Sequence, residues 1–205
     1  MTGPDDILAF WFPPGLDADE EAHRRQFQWW FAGGAIEPVA ARFAPVLAAA
    51  SRGELEGWAG APRSRLALII VLDQFSRCIH HDTAEAFAQD ARALDLAVDG
   101  LDGGLYDQLG AVWEKTFFLL PLSHSERLAL HERNVILCAN LVDEAPEPLR
   151  KLYRFSAAQA RGHREVIARF GRHPHRNEVL GRTSTAKERV YLAAGDLVHR
   201  RAFPS

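Results

Sequence analysis

Apolar residues recur every three or four positions through most of this chain, and nowhere do they alternate one by one. A spacing of three or four places side chains on one face of an α-helix, whereas alternation would place them on one face of a strand. The clearest example of the helical spacing is the set Ile36, Val39, Phe43, Val46 and Ala50. No Asn-Gly or Asp-Gly turn joins two β-branched runs. The sequence therefore predicts an all-α protein.

Local signals predict where several helices begin and end. A helix from about Asp19 to Phe31 should stop at the glycine pair 33–34, and a long helix should close at Gly171. The Ser123–Glu126 and Thr185–Glu188 spacings each fit a capping box that starts a helix. The helix before the Ser123 capping box should run as far as Pro121. An earlier helix should be capped by Asp82 or Thr83, and Pro45 should kink the third helix.

The run of apolar residues 66–72 predicts a helix that is buried nearly all round. It continues through Asp73 and Arg77 without a turn signal, and this length favours a helix over a buried strand. Pro62 suits its first turn. We expect this helix at the centre of the fold.

Eight or nine helices joined by short loops must pack largely as antiparallel neighbours. The predicted fold is thus a set of antiparallel helical hairpins packed as a tetratricopeptide-like bundle or short solenoid, although the sequence shows no 34-residue repeat. At 205 residues we expect a single all-helical domain, residues 1–205.

Composition argues against several classes of function. The net charge of −3 gives no overall reason to expect a nucleic-acid partner. The longest apolar run is too short to cross a bilayer, and the start of the chain lacks the basic residues of a signal peptide, so we expect no membrane partner and a cytoplasmic location. Cys78 and Cys138 lack a CxxC spacing and are predicted to be free, buried thiols.

Nine histidines raise the question of a metal site, but their spacing does not support one. HExxH, HxxxH, paired ExxH and EF-hand motifs are absent, which leaves only the pairs 80–81 and 173/175. The chain also lacks a GxSxG nucleophile motif and a phosphate-binding glycine loop. We therefore predict neither a metal nor a cofactor.

Polar side chains concentrate in the stretch RFGRHPHRN at residues 169–177. Arg172, His175, Arg176 and Asn177 surround a Gly/Pro break between two predicted helices, which is a plausible setting for an anionic ligand. Asp73 and Arg77 form a second cluster: four residues apart on a helix, they either pair with each other or contact a ligand.

His124 forms a third cluster with Glu126 in what the capping box predicts to be the first turn of a helix. Glu126 is accounted for by capping, whereas His124 has no capping role and can serve as a hydrogen-bond donor or a general base. A helix N-terminus would also lower the pKa of a neighbouring histidine.

Several of these segments together resemble the bacterial family called domain of unknown function 924. The resemblance rests on residues 8–12 (LAFWF), 72–77 (LDQFSR), 117–126 (FFLLPLSHSE), 169–177 and 180–185 (LGRTST). It implies an all-helical, tetratricopeptide-like fold and no established activity. The chain departs from the family's D-Q-F-P-R-N and R-F-G-R-F-P-H-R-N patterns at Ser76, Cys78 and His173.

The resulting hypothesis is one polar pocket that holds a small anionic ligand. Arg77 and Arg176 would bind its carboxylate or phosphate, with guanidinium groups within about 10 Å of each other across a cavity. His124 or His175 would transfer a proton, and Asp73 would orient one arginine, so an enzyme is one reading. The alternatives are a non-catalytic adaptor whose helical hairpins bind a peptide, and a purely structural role for the arginines. Polar motifs in one enclosed place would favour the ligand, and motifs spread along an open face the adaptor.

Overall fold

The computed structural model describes residues 2–16 and 19–201, and the secondary structure in these ranges is helical throughout. No β-strand occurs in them, which confirms the all-α prediction. The α-helices are α1 (Pro4–Trp11), α2 (Glu20–Phe31), α3 (Ile36–Ser51), α4 (Pro62–Ile69), α5 (Ser76–Ile79), α6 (Asp90–Asp102), α7 (Val112–His124), α8 (Leu128–Glu144), α9 (Arg150–Phe170) and α10 (Ala186–Ala194).

Several helix ends lie where the sequence places them. Asp19 caps α2, with its carboxylate accepting a hydrogen bond from the Glu21 amide at 2.9 Å. Gly171 ends α9 in the left-handed conformation, at φ 70°, which a residue without Cβ adopts without strain. Thr185 and Glu188 form the predicted capping box at the start of α10. Local cap chemistry therefore defines these boundaries.

The helix at the centre of the fold consists of α4, a π-helical turn at Ile70–Phe75 and α5. All residues from 66 to 76 are buried, and the helix packs against α1, α3, α6 and α7. This confirms the predicted central helix. The π-helical turn was not predicted; such turns are rare and often occur at functional sites.

The predicted boundary between α7 and α8 is wrong. Helix α7 continues through Pro121 to His124, and α8 begins only at Leu128. Ser123 lies inside α7 and does not cap α8. Its hydroxyl instead accepts a hydrogen bond from the buried Asn134 amide at 2.7 Å. The proline loses one backbone hydrogen bond, but buried apolar neighbours on both sides keep this turn in the core.

The predicted start of α6 is also wrong. Residues 84–87 form a 3₁₀ turn, and α6 begins at Asp90, after the expected cap at Asp82 or Thr83. The 3₁₀ turn is held to the central helix, where the Ser76 hydroxyl donates to the Glu85 carbonyl oxygen at 3.3 Å. A tertiary contact therefore replaces the local capping that the sequence suggested.

The apolar core joins buried residues from Ile7 to Tyr153 into one cluster. Outside its centre, α8 packs along α9 and against α7, and α10 contacts the turn at 174–176. Among the described residues, no helix combines the length and the apolar character needed to span a bilayer. The tetratricopeptide-like arrangement and the single domain remain predictions.

Candidate functional site

Four of the predicted site residues form one polar network with a residue that was not predicted, Asp90. Asp73 lies in the π-helical turn and Arg77 in α5, while His124 is the last residue of α7. Arg176 belongs to a 3₁₀ turn at Pro174–Arg176, and Asp90 is the first residue of α6. Contributions from four separate parts of the chain thus meet in one polar network.

His124 and Asp73 form a hydrogen-bonded pair. The His124 Nδ1 atom lies 2.7 Å from Asp73 Oδ1, and the Asp73 side chain is 1% exposed. Gln74 donates a second hydrogen bond to the other carboxylate oxygen. An ionised carboxylate can only accept, so Nδ1 of His124 carries the proton and Nε2 is left with a lone pair.

The charges around this pair favour an ionised Asp73 and a neutral His124. Burial alone would raise the pKa of Asp73, but Arg77 and the hydrogen bonds from His124 and Gln74 hold it well below its usual range. Burial lowers the pKa of His124, and Arg77 lowers it further, against the opposing influence of Asp73. The imidazole is therefore a free base at neutral pH.

The position of His124 differs from the prediction in one respect. It lies in the last turn of a helix, where the dipole favours a charged imidazole, and not in the first turn. Its pKa is nevertheless lowered, and the reason is burial and not the helix dipole. Glu126, expected as the capping carboxylate, instead accepts hydrogen bonds from Arg182 and from the His173 amide.

Asp90 joins the two arginines that the sequence assigned to a ligand. Arg77 Nη1 lies 2.9 Å from Asp90 Oδ1, and Arg176 Nη1 lies 2.9 Å from Asp90 Oδ2. Both guanidinium groups lie over the ring of Phe87, with Cζ at 5.6 and 4.7 Å from its centroid. Arg77 and Arg176 are thus neighbours, as expected, but a carboxylate of the protein occupies the position between them.

The arginines retain hydrogen-bonding capacity that Asp90 does not use. Arg77 Nη2 and Arg176 Nε are buried and have no hydrogen-bond partner among the described residues, although Arg77 Nη2 makes a 3.4 Å ion pair with Asp73. Buried polar atoms are usually satisfied, so each such donor calls for an explanation. Side chains of Arg77, Asp90 and His124 are each about one-fifth exposed, so the network reaches the surface.

Arg172 and Asn177 lie outside this network. The Arg172 guanidinium forms two hydrogen bonds to the buried carboxylate of Glu188 and a third to the Thr183 carbonyl oxygen. The Asn177 amide nitrogen donates to the Ser184 hydroxyl at 3.0 Å. The Arg172 contacts to Glu188 attach the loop of residues 171–185 to the start of α10, and the Asn177 contact joins two positions within the loop.

His175 belongs to a different group, which we call the histidine cluster: His131, His163, His173, His175 and His199. The rings lie side by side, from 3.8 Å between the centroids of 175 and 199 to 5.9 Å between those of 131 and 173. No hydrogen bond links His175 to the Asp90 network in the described residues. Its predicted catalytic role stays a prediction.

The histidine cluster is held in the neutral form. Burial lowers the pKa of His163 to about 3 and of His175 to about 2, and neighbouring histidines and Arg176 act in the same direction. His131 and His173 donate from Nε2 to the same acceptor, the Ser125 carbonyl oxygen, at 2.9 and 3.1 Å. Ser125 directly follows His124, so this cluster supports the end of α7 on which His124 stands.

Two cavities of the described chain lie away from the Asp90 network. One is a small apolar space at α2 and α7 that includes His23, Phe31 and Trp113. The other is an open cleft of about 590 Å³ at α1 and the start of α7. Neither is lined by a residue of the network. Among the described residues, no group of three or more His, Cys, Asp or Glu is arranged to hold a metal ion.

Sequence reasoning missed Asp90, Phe87 and the histidine cluster. Asp90 follows Arg77 by 13 residues with a loop between them, so no helical spacing links the two. The members of the histidine cluster are similarly scattered along the chain. Contacts across such separations depend on packing, and the only signal in the sequence was the unusual number of histidines near the C-terminus.

Comparisons with known proteins agree with this fold. A model of the family described as "Bacterial protein of unknown function (DUF924)" matches residues 7–196. A solved structure from Agrobacterium tumefaciens, the protein of unknown function ATU0120, is 34% identical, with a TM-score of 0.69 over 94% of this chain and 97% of that one. None of the curated proteins matches this chain. The family match covers most of the sequence, and the chain therefore belongs to the bacterial family DUF924.

Proposed function

We propose that this protein binds a small ligand with a carboxylate or phosphate group at Arg77 and Arg176, and that His124 acts on the bound ligand as a general base. The observation that carries the proposal is the shared carboxylate of Asp90, held by one Nη1 atom of each arginine at 2.9 Å. Two guanidinium groups arranged around one carboxylate are already in the geometry that recognises an anion.

The proton chemistry rests on the His124–Asp73 pair. A carboxylate that accepts from Nδ1 fixes the tautomer and orients the ring, which leaves Nε2 as the proton acceptor. The lowered pKa of His124 keeps that nitrogen unprotonated at neutral pH. A general base needs both properties, and His124 combines them within the same network as the two arginines.

Asp90 acts as the internal competitor of the ligand. An entering anion takes over one or both arginines, and Asp90 then moves with the first turn of α6. Arg77 Nη2 and Arg176 Nε, which have no hydrogen-bond partner in the part of the chain that the structure describes, supply donors that an anion larger than a carboxylate can use. Phosphate, with more acceptor oxygens than a carboxylate, suits this arrangement.

Thermal melts in the presence of orthophosphate or malonate test the proposal. We expect both probes to raise the melting temperature of the wild type, and the shift to disappear in Arg77→Ala and Arg176→Ala. Asp90→Asn removes the competing charge and should increase the shift. Asp95→Asn, an exposed residue of the same helix, is the matched control and should behave as the wild type.

The opposite result has an equally clear meaning. If no anion shifts the wild-type or Asp90→Asn melt, and the arginine variants only unfold at a lower temperature, the arginines serve the fold alone. A pH profile of phosphate binding separates the role of His124, because His124→Gln should retain binding but lose any dependence on the imidazole.

The adaptor alternative gains no specific support. The polar motifs gather at one network instead of extending along an open face, which favours a small ligand over a peptide. The structural alternative applies to Arg172, whose guanidinium is engaged by Glu188 and a backbone carbonyl.

A further inference from the structure

An open cleft of about 590 Å³ separates the N-terminal helix from the start of α7. This volume lies within the range of about 300–1,000 Å³ that is usual for small-molecule sites. Most of its lining is apolar, including Leu8, Phe12 and Trp113. The polar residues on it are Asp5, Arg63, Gln108 and Glu114. A mostly apolar cleft with a few polar groups is the usual composition of a ligand site.

Glu114 is the least expected of these residues. It is 5% exposed, and its ion-pair partner Arg63 has a side chain that is 60% exposed. Taking a carboxylate out of water costs several kcal/mol, and a partner that remains largely in solvent repays little of it. The first turn of α7 offers a favourable dipole, but an exposed carboxylate would gain the same. Stability alone therefore does not account for a buried charge at this cleft.

The charges of the cleft favour a cation. Among the described residues that line it, two carry a carboxylate, Asp5 and Glu114, and one carries a guanidinium, Arg63. An ammonium group gains a charge-assisted hydrogen bond from a buried carboxylate, and aromatic rings such as those of Phe12 and Trp113 attract a cation as well as an apolar body. Among the described lining residues, a ligand carboxylate would find one cation, Arg63, which Glu114 already engages.

We infer that this cleft binds an aromatic or aliphatic amine, with the ammonium group on Glu114 and the apolar body between α1 and the start of α7. No residue of the cleft belongs to the Asp90 network, so the inference stands apart from the proposed anion site.

The probes are tryptamine and indole-3-propionate, which share the indole ring and differ in the sign of their charge. Ligand-observed NMR and calorimetric titration of the full chain should show binding of tryptamine, with the acid at least about ten-fold weaker, a difference of about 1.4 kcal/mol. Glu114→Gln should weaken tryptamine by about ten-fold or more and reduce the preference over the acid. Asp5→Asn, at an exposed position, should weaken it less.

A steric variant keeps the test decisive if Glu114→Gln fails to fold. Ala9 is exposed and lines the cleft, so Ala9→Trp fills it without altering a charge or the core. Ala91 is also exposed, on α6 and away from the cleft, and Ala91→Trp is the matched control. Tryptamine should bind the control and not Ala9→Trp. Equal binding to both variants, equal binding of the two probes, or no binding at millimolar concentration would overturn the inference.

Discussion

The histidine cluster makes this protein sensitive to mild acid. For three of its members, the buried His173 and the half-buried His163 and His175, desolvation holds the pKa far below 6.5. In the unfolded chain the pKa of each of these histidines returns to about 6.5. Below that pH the unfolded chain binds protons that the folded chain does not, so the free energy of unfolding falls as the pH falls. The free energy of unfolding therefore keeps its full value above about pH 6.5 and decreases progressively below that pH.

The size of the effect follows from the number of histidines whose pKa is this strongly lowered. Each contributes a loss of about 1.4 kcal/mol per pH unit below 6.5, as long as it remains neutral in the fold. Between pH 7.5 and 5.5 the three together should lower the free energy of unfolding by about 4 kcal/mol. Asp73 and Glu188, whose pKa values are lowered, act in a separate window below about pH 4.5. A domain is stable by only about 5–15 kcal/mol, so the predicted loss is large.

Urea unfolding followed by circular dichroism at pH 7.5 and 5.5 measures this loss. His175→Gln removes one titrating group and should reduce the loss by about 1.4 kcal/mol, whatever its effect on absolute stability. His81→Gln, at an exposed site outside the cluster, should leave the loss unchanged. A wild-type difference below about 1 kcal/mol, or a His175→Gln variant with the full loss, would show that these histidines are not held neutral.

Three further predictions concern the core, a helix end and a thiol. Phe75→Ala should cost about 3–5 kcal/mol in urea unfolding, because the ring is fully buried and stacked 4.9 Å from that of Phe43, whereas Val190→Ala, 68% exposed, should cost less than about 0.5 kcal/mol. Gly171→Ala should cost about 1–2 kcal/mol because of its left-handed backbone at φ 70°, and a thermal melt unchanged from wild type would contradict this. Burial raises the pKa of the Cys78 thiol to about 11, so iodoacetamide at pH 8 should modify it slowly in the native protein and rapidly in urea; equal rates would refute the shielding.

The parts of the fold that the sequence predicted are those fixed by local chemistry. Helical spacing, the Gly171 stop and the Thr185 capping box depend on residues a few positions apart, and the structure agrees with each. The false capping box at Ser123 shows the limit of the same reasoning. Its pattern is correct, but Ser123 and Glu126 bind distant partners, so tertiary contacts determine where α7 ends.

The two arginines of the candidate site could be predicted from the sequence, whereas the carboxylate of Asp90 that joins them could not. Arg77 and Arg176 stood in recognisable motifs, and the structure places them together. Asp90 stands in no motif, since an aspartate at the start of a helix is ordinary and its partners come from residues 77 and 176. Which anion lies between two arginines depends on the packing of α6 against the central helix, and a single sequence does not encode that in any local pattern.

The π-helical turn at Ile70–Phe75 can be viewed as one residue inserted into an otherwise regular helix. The turn takes up this extra residue, so the residues beyond it lie about 100° from where an uninterrupted α-helix would place them, because an α-helix has 3.6 residues per turn. It lets the apolar residues of α4 pack in one phase while Asp73 meets His124 on α7 and Arg77 meets Asp90 on α6.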